Sequence, residues 1–381
     1  MEGNIRVGTL FGIPFYINPS WFLILALGTF WFGEQFAQVL NGNLLPWIMG
    51  LTTSLLLFAS VLAHELGHSA AALSQGIGVR SITLFIFGGL AMLEKESETP
   101  FQSFLVAIAG PLVSILLFVV FSIAGSTLPL PTSLSIIISI LATLNLILAV
   151  FNLIPGLPLD GGNVLKAAIW KLTGNPNKGL LYASRVGQIF GWVAITTGAL
   201  AVFDVIEYGS LWTVLIGFFL LQNAGMSAQS AQVQDKLDHY TAKDAVIPDS
   251  PIVSQDLTLR EFVNDYVIGN NKWRKFLVTN ADGQLVGAIA TEDLKAVATS
   301  EWTEKTVQTL MKPVEEDTQI EASQSLLEVV KRFEQDTNKQ LTVIDQNGVV
   351  LGLLEKSSIV NLLSQPQENQ SQDSKPEATP V

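Results

Sequence analysis

Residues 63–68 read Ala-His-Glu-Leu-Gly-His, and the chain's chemistry concentrates there. His64 and His68 stand four residues apart, so on a helix both imidazoles project from one face and can reach one metal ion. Glu65 projects beside the same place, where it can take a proton from water activated by that ion. The sequence holds three histidines, the third being His239, and no cysteine. Thiolate metal sites, iron–sulfur clusters, disulfide scaffolds and cysteine nucleophiles are excluded together. Two His leave a zinc ion short, because a catalytic zinc commonly takes three protein ligands. His239 lies in a polar part of the chain, so the third ligand must be a carboxylate or another oxygen donor.

The segment Asn152-Leu153-Ile154-Pro155-Gly156-Leu157-Pro158-Leu159-Asp160-Gly161-Gly162 offers one. Its prolines and glycines interrupt an apolar run, and backbone freed near membrane depth is tolerated where it lines a cavity or meets water. Alone, Asp160-Gly161 would read as a turn. Lying at the depth of the two histidines in a six-span topology, Asp160 is the expected third ligand. Asn152 either hydrogen-bonds a substrate backbone or developing oxyanion, or closes a frayed helix end; the spacing serves both.

These groups need elements to hold them. Of 381 residues, 49% are hydrophobic and 14% charged, against about 25% charged in soluble domains. The average hides a division. Residues 1–235 hold 7 Lys/Arg and 10 Asp/Glu, whereas residues 236–381 hold 14 and 23. The net charge of −12 excludes a nucleic-acid partner, which needs a basic face. Six apolar runs approach the roughly 20 residues that cross a bilayer: 17–36, 46–74, 101–125, 133–154, 186–203 and 210–228. Six spans put all seven basic residues of the first part (Arg6, Arg80, Lys95, Lys166, Lys171, Lys178 and Arg185) on one side. The positive-inside rule makes that side, and both termini, cytoplasmic. The second and fourth spans then end on the same side, which brings His64, His68 and Asp160 to similar depth. Ser20 is the expected cap of the first span, and Trp21, Trp47 and Trp212 are expected near the interfaces.

Segment 80–94 is β-branched and aromatic around Gly88-Gly89 and predicts a membrane-associated β-hairpin. Its exposed edge could hold an unwound substrate by β-addition, or only pack. Ala109-Gly110-Pro111 in the third span reads as close helix packing.

The motifs in this order resemble the site-2 protease family of intramembrane zinc metalloproteases. They are Asn18-Pro19-Ser20-Trp21, His64-Glu65-Leu66-Gly67-His68, Gly88-Gly89, Ala109-Gly110-Pro111, and Asn152…Pro155…Asp160-Gly161. The resemblance covers most of residues 1–228. It implies one Zn2+ per chain on His64, His68 and Asp160, with Glu65 activating water. It implies hydrolysis of peptide bonds in or beside a transmembrane helix of single-span proteins, such as anti-sigma factors or membrane-tethered regulators, at a bacterial inner membrane. Two other readings compete. A regulated transporter would use buried ionisable groups as an ion path, usually with inverted repeats, and no repeat is visible among the spans. A silent protease-fold scaffold is opposed by the intact Glu65.

Beyond a linker at 229–240, residues 241–299 and 309–363 share an order of elements. Gly287 and Gly352 set a period of 65 residues. The pair resembles tandem cystathionine-β-synthase (CBS) domains, which form a disc and often hold adenine nucleotides. The fold class expected is thus a six-helix polytopic membrane domain (1–228) with a β-hairpin, plus an α/β tandem CBS module. Asp293 is the candidate for a ribose hydroxyl pair, but Ala290 replaces the hydroxyl residue of that signature, and the second copy loses both. Helix capping by Asp293, homodimerisation and control of substrate access are the competing roles for this pair. Residues 365–381, rich in Gln, Ser and acidic groups, predict a disordered tail.

Overall fold

The computed structural model describes residues 3–40, 43–268, 272–314, 318–335 and 340–364. The expected tail at 365–381 lies outside the described residues. Two compact units result, Met1–Gln232 and Val233–Val381.

In the first unit, β1 (Ile5–Leu10) and β2 (Ile13–Ile17) precede α1 (Ser20–Ala37) and α2 (Leu45–Ser74). Then come β3 (Val79–Phe85), β4 (Gly88–Leu93), α3 (Pro100–Thr127), α4 (Thr132–Asn152), α5 (Asp160–Thr173), α6 (Pro176–Val202) and α7 (Leu211–His239). Among the described residues, α2, α3, α4, α6 and α7 are long and apolar enough to cross a bilayer. The chain is therefore an integral membrane protein. The remaining expected span, 17–36, corresponds to α1, whose 18 residues include the polar pair Glu34-Gln35 near their end, so it is not among these five.

Helix α3 shows how this unit differs from a soluble bundle. Its outer face exposes Leu112 (55%), Leu116 (60%) and Ile123 (56%), while Ala107, Gly110, Pro111 and Ser114 are buried. Large apolar groups face outward and small or polar ones inward, because lipid is as apolar as leucine and only close packing or hydrogen bonding favours an interior.

Hairpin β3–β4 belongs to a four-stranded sheet in the order β1-β2-β3-β4, with β2 and β3 parallel. The first two strands escape a hairpin-only reading because their partner lies 67 residues on in sequence, from Phe15 to Ile82. Asn18 ties the sheet to α1: its N–H donates to the Leu84 carbonyl at 2.8 Å. Its Oδ1 accepts from the Ser20 N–H at 3.0 Å and the Ser20 hydroxyl at 2.7 Å. The capping oxygen is thus Asn18's rather than Ser20's, and Ser20 Oγ instead accepts from the Ile86 N–H at 3.2 Å. Trp21 is 7% exposed and packs edge-on against Phe22 and near Phe58, so it is a core residue and not an interfacial one.

Two polar segments are helical. Helix α5 has 14 residues, too few to span, and half of them are polar or glycine. Residues 229–239, expected as a linker, continue α7. They contain no Gly or Pro to break the helix, and polarity alone does not end one.

The second unit holds two similar halves. The first runs β5 (Ile252–Ser254), α8 (Leu259–Phe262), β6 (Lys275–Thr279) and β7 (Leu285–Ala290). The second runs β8 (Gln319–Glu321), α9 (Leu326–Gln335), β9 (Gln340–Ile344), β10 (Val350–Glu355) and α10 (Lys356–Ser364). Each makes a three-stranded sheet with β6 or β9 central, joined in parallel to the short first strand and antiparallel to the last. The first half closes with a 3-10 turn, Asp293–Ala296, whereas α10 closes the second. The halves meet reciprocally: Leu285 N–H donates to Gly348 O (3.2 Å), and Val350 N–H to Gly283 O (3.0 Å). The donors Leu285 and Val350 are 65 residues apart, as are the acceptors Gly283 and Gly348, so the two bonds exchange corresponding positions and a local two-fold relates the copies.

Candidate metal centre

The site begins with α2, an uninterrupted helix whose 30 residues carry His64 and His68 on one buried face, 3% and 8% exposed. Their Nε2 atoms lie 3.2 Å apart. Asp160 arrives as the first residue of α5, after the chain leaves α4 and turns through Pro155–Leu159. Its Oδ2 lies 3.0 Å from His64 Nε2 and 3.2 Å from His68 Nε2. Glycine allows this approach: a Cβ on Gly161 would meet the Leu153 and Ile154 carbonyls, and one on Gly162 the backbone of Gly156 and Leu157.

Helix α3 fixes the imidazoles from behind. Ser114 Oγ is 2.9 Å from His64 Nδ1, and the Val106 carbonyl 2.7 Å from His68 Nδ1. A carbonyl only accepts, so His68 carries its proton on Nδ1, and in the neutral ring the lone pair is on Nε2. Ser114 can accept from His64 Nδ1 in the same way. Gly110 stands between them, one helical turn from each. A Cβ there would collide with His68 Nε2 and lie 2.7 Å from His64 Nε2. Val106, Gly110 and Ser114 therefore form one stripe of α3 that aims both rings and leaves room in front of them.

A metal ion fits this arrangement. Two lone-pair nitrogens and a carboxylate oxygen within 3.2 Å of one another repel unless a cation lies among them. A tetrahedral zinc with ligands near 2.0–2.1 Å spaces its donors about 3.3 Å apart. Outer hydrogen bonds on the imidazoles' far nitrogens are the usual companions of such ligands. His64, His68 and Asp160 are the residues here that could hold it.

Glu65, the next residue on α2, has its Oε2 3.2 Å from the Ala91 N–H of β4. Ala91 pairs with Ile82 across the hairpin, and its N–H leaves the ladder for the carboxylate. Gly89 lets the strand come this close, since a Cβ there would clash with the Glu65 side chain. Glu65, the two His, Asp160 and Asn152 line one cavity of about 400 Å³, with β4 as one wall. The Asn152 amide donates to Leu148 O at 3.0 Å, which leaves its second N–H for another partner.

Asp293 lies apart, in the second unit. One of its carboxylate oxygens accepts from Lys312 and the other from the Ala290 N–H at 2.9 Å. The ammonium first, then the amide, holds this carboxyl below the usual range. Sequence reading thus named each ligand candidate and read Gly110 as close helix packing, but it missed Ser114. Helix α3 carries other small and polar residues, among them Ser103, Ala107, Ala109 and Ser122, so nothing in its sequence sets Ser114 apart.

Comparison with known proteins places this geometry in a lineage. The profile of peptidase family M50 matches residues 52–136 and 130–194. A putative zinc metalloprotease of Synechocystis is 58% identical over 95% of this chain and 96% of its own. A putative zinc metalloprotease of Mycobacterium tuberculosis is 28% identical over 95% of this chain and 93% of its own. The solved site-2 protease of Methanocaldococcus jannaschii is 28% identical, covers 59% of this chain and 95% of its own, and superposes with a TM-score of 0.44. With its full-length relative and its motifs in order, this chain belongs to peptidase family M50, the site-2 type of membrane-embedded zinc metalloproteases.

Proposed function

We propose that the chain hydrolyses peptide bonds in or near transmembrane segments of single-span membrane proteins, with zinc held by His64, His68 and Asp160. The carrying observation is the convergence of the two Nε2 atoms and Asp160 Oδ2 within 3.2 Å, with both far imidazole nitrogens already engaged. The bound ion would polarise the scissile carbonyl and acidify water. Glu65 takes a proton from the attacking water and returns it to the leaving amide nitrogen, so that the carbonyl carbon gains the oxygen as the C–N bond breaks. Asn152, with its unused amide N–H on the cavity wall, hydrogen-bonds the substrate backbone or the oxyanion. The outer edge of β4 receives the unwound substrate as an added strand.

In this reading α1 is a sixth, short span, both termini are cytoplasmic, and the membrane is a bacterial inner membrane. The second unit is a CBS pair, a reading supported by its repeated βαββ order and reciprocal hydrogen bonds, and its role is nucleotide-linked regulation, dimerisation or control of substrate access. Adenine nucleotide binding by the pair is tested by calorimetry on the full chain with AMP, ADP and ATP. Heat with any of them supports it, and none with all three assigns the pair to protein contact, dimerisation included.

Purified protein should contain one zinc and cleave a model single-span substrate. Glu65→Gln should keep the zinc and lose cleavage. Zinc without cleavage in the native chain would make it a scaffold, and neither zinc nor cleavage would favour the transporter.

A further inference from the structure

The cavity extends past the metal-ligand candidates along α5. Asn163, Lys166 and Trp170 line it together with Asp160. At about 100° per residue these three lie within about 60° of one another on the flank of α5 beside Asp160. Among the described residues lining the cavity, Lys166 is the only Lys or Arg. It is half-buried, and no carboxylate lies within ion-pair distance of its ammonium among the described residues. Glu96 lines the same cavity but is exposed on the loop after β4, where water screens it. A half-buried ammonium with no ion-pair partner among the described residues is free to receive an anionic group.

We infer that Lys166 selects substrates carrying an acidic side chain close to the scissile bond. The inference rests on the peptidase reading above and deepens it. Six residues of helix rise about 9 Å, and an extended peptide advances about 3.3 Å per residue. The carboxylate recognised therefore lies about three residues from the bond cut at the metal. Trp170, one turn beyond Lys166, supplies a flat apolar wall for the stem of that side chain, and Asn163 a neutral donor and acceptor between it and the metal. A lipid phosphate has the same chemistry and reaches the same ammonium if the cavity mouth meets the headgroups.

The test uses the full chain in detergent with a single-span substrate series in which one Glu is walked through the four positions on each side of the cleaved bond. Native protein should cleave the best Glu substrate about tenfold faster, by kcat/KM, than its Gln counterpart. Lys166→Glu should reverse the preference and favour a Lys at the same position, while Lys171→Glu, on the same helix and exposed outside the cavity, should leave it unchanged. Repeating the series with added phosphatidylglycerol separates the sources. A preference that persists belongs to the substrate. One that is absent without lipid, with Lys166→Glu instead lowering phosphatidylglycerol retention, makes Lys166 a headgroup site and overturns the inference. Equal cleavage of Glu and Gln substrates also overturns it while the peptidase reading stands. Absence of all cleavage by zinc-loaded native protein defeats that reading instead.

Discussion

Asp160 in the membrane unit and Asp293 in the second unit occupy similar local positions. Each opens a helical turn and each was singled out by motif. Their surroundings are opposite. Asp293 has a lysine of its own chain on one oxygen and a backbone N–H on the other, so its charge is already matched. Asp160 faces two imidazole nitrogens whose far sides are committed to Ser114 and Val106. No lysine or arginine forms an ion pair with it among the described residues. The Asp293 carboxylate is matched by a fixed cation of its own chain, whereas Asp160 meets two imidazoles that could share a metal ion with it.

The contrast breaks most sharply under substitution of the two aspartates. Asp160→Ala should lower zinc affinity by roughly a thousandfold or more and abolish cleavage, while Asp293→Ala should retain full zinc by metal analysis of the purified chain. Zinc loss in both would mean that the units are not separate in this respect. Gly110→Ala comes next. Alanine suits a helix better than glycine, so helicity should hold or rise in circular dichroism, yet zinc content should fall by about a hundredfold in affinity because the new methyl occupies the space before both Nε2 atoms. Undiminished zinc there would show that α3 does not shape the site. Ser114→Ala removes only the aim of His64 and should weaken zinc about 10- to 100-fold, read by competition with a chelator, with Ser114→Thr restoring part of it.

The smallest effect belongs to Asp293. Its carboxyl is held below the ordinary range, so its ionisation stabilises the folded state fully above the unfolded value, about 3.9, and that stability is lost as pH falls through the lower folded value. Hydrogen exchange of the Ala290 amide, corrected for intrinsic rate, should remain protected at pH 5 and lose protection toward pH 3. Lys312→Met should move that loss to higher pH, by an amount worth about 1 kcal/mol or less, as for other exposed pairs.

The pattern of success in reading the sequence has a physical cause. His64 and His68 were legible because a helix brings i and i+4 together whatever surrounds it. Asp160 was legible through depth, since both chain segments end on the basic side. Ser114 lies 50 residues from His64, and no local period announces that contact. The three-residue strands β5 and β8 are too short to alternate, and β1 and β2 need a partner from beyond α2. The continuation of α7 was missed because polar composition was read as an end, when only Gly, Pro or a cap makes one.

The bond between the Ala91 amide and Glu65 has a kinetic meaning. An arriving peptide strand on the outer edge of β4 would present its own carbonyl to that same N–H. On the proposed reading that strand and Glu65 would compete for one donor, so a seated strand would free the Glu65 carboxylate. The release would come from the substrate's backbone rather than from any side chain, and an intact helix, whose carbonyls are already hydrogen-bonded, would not supply it.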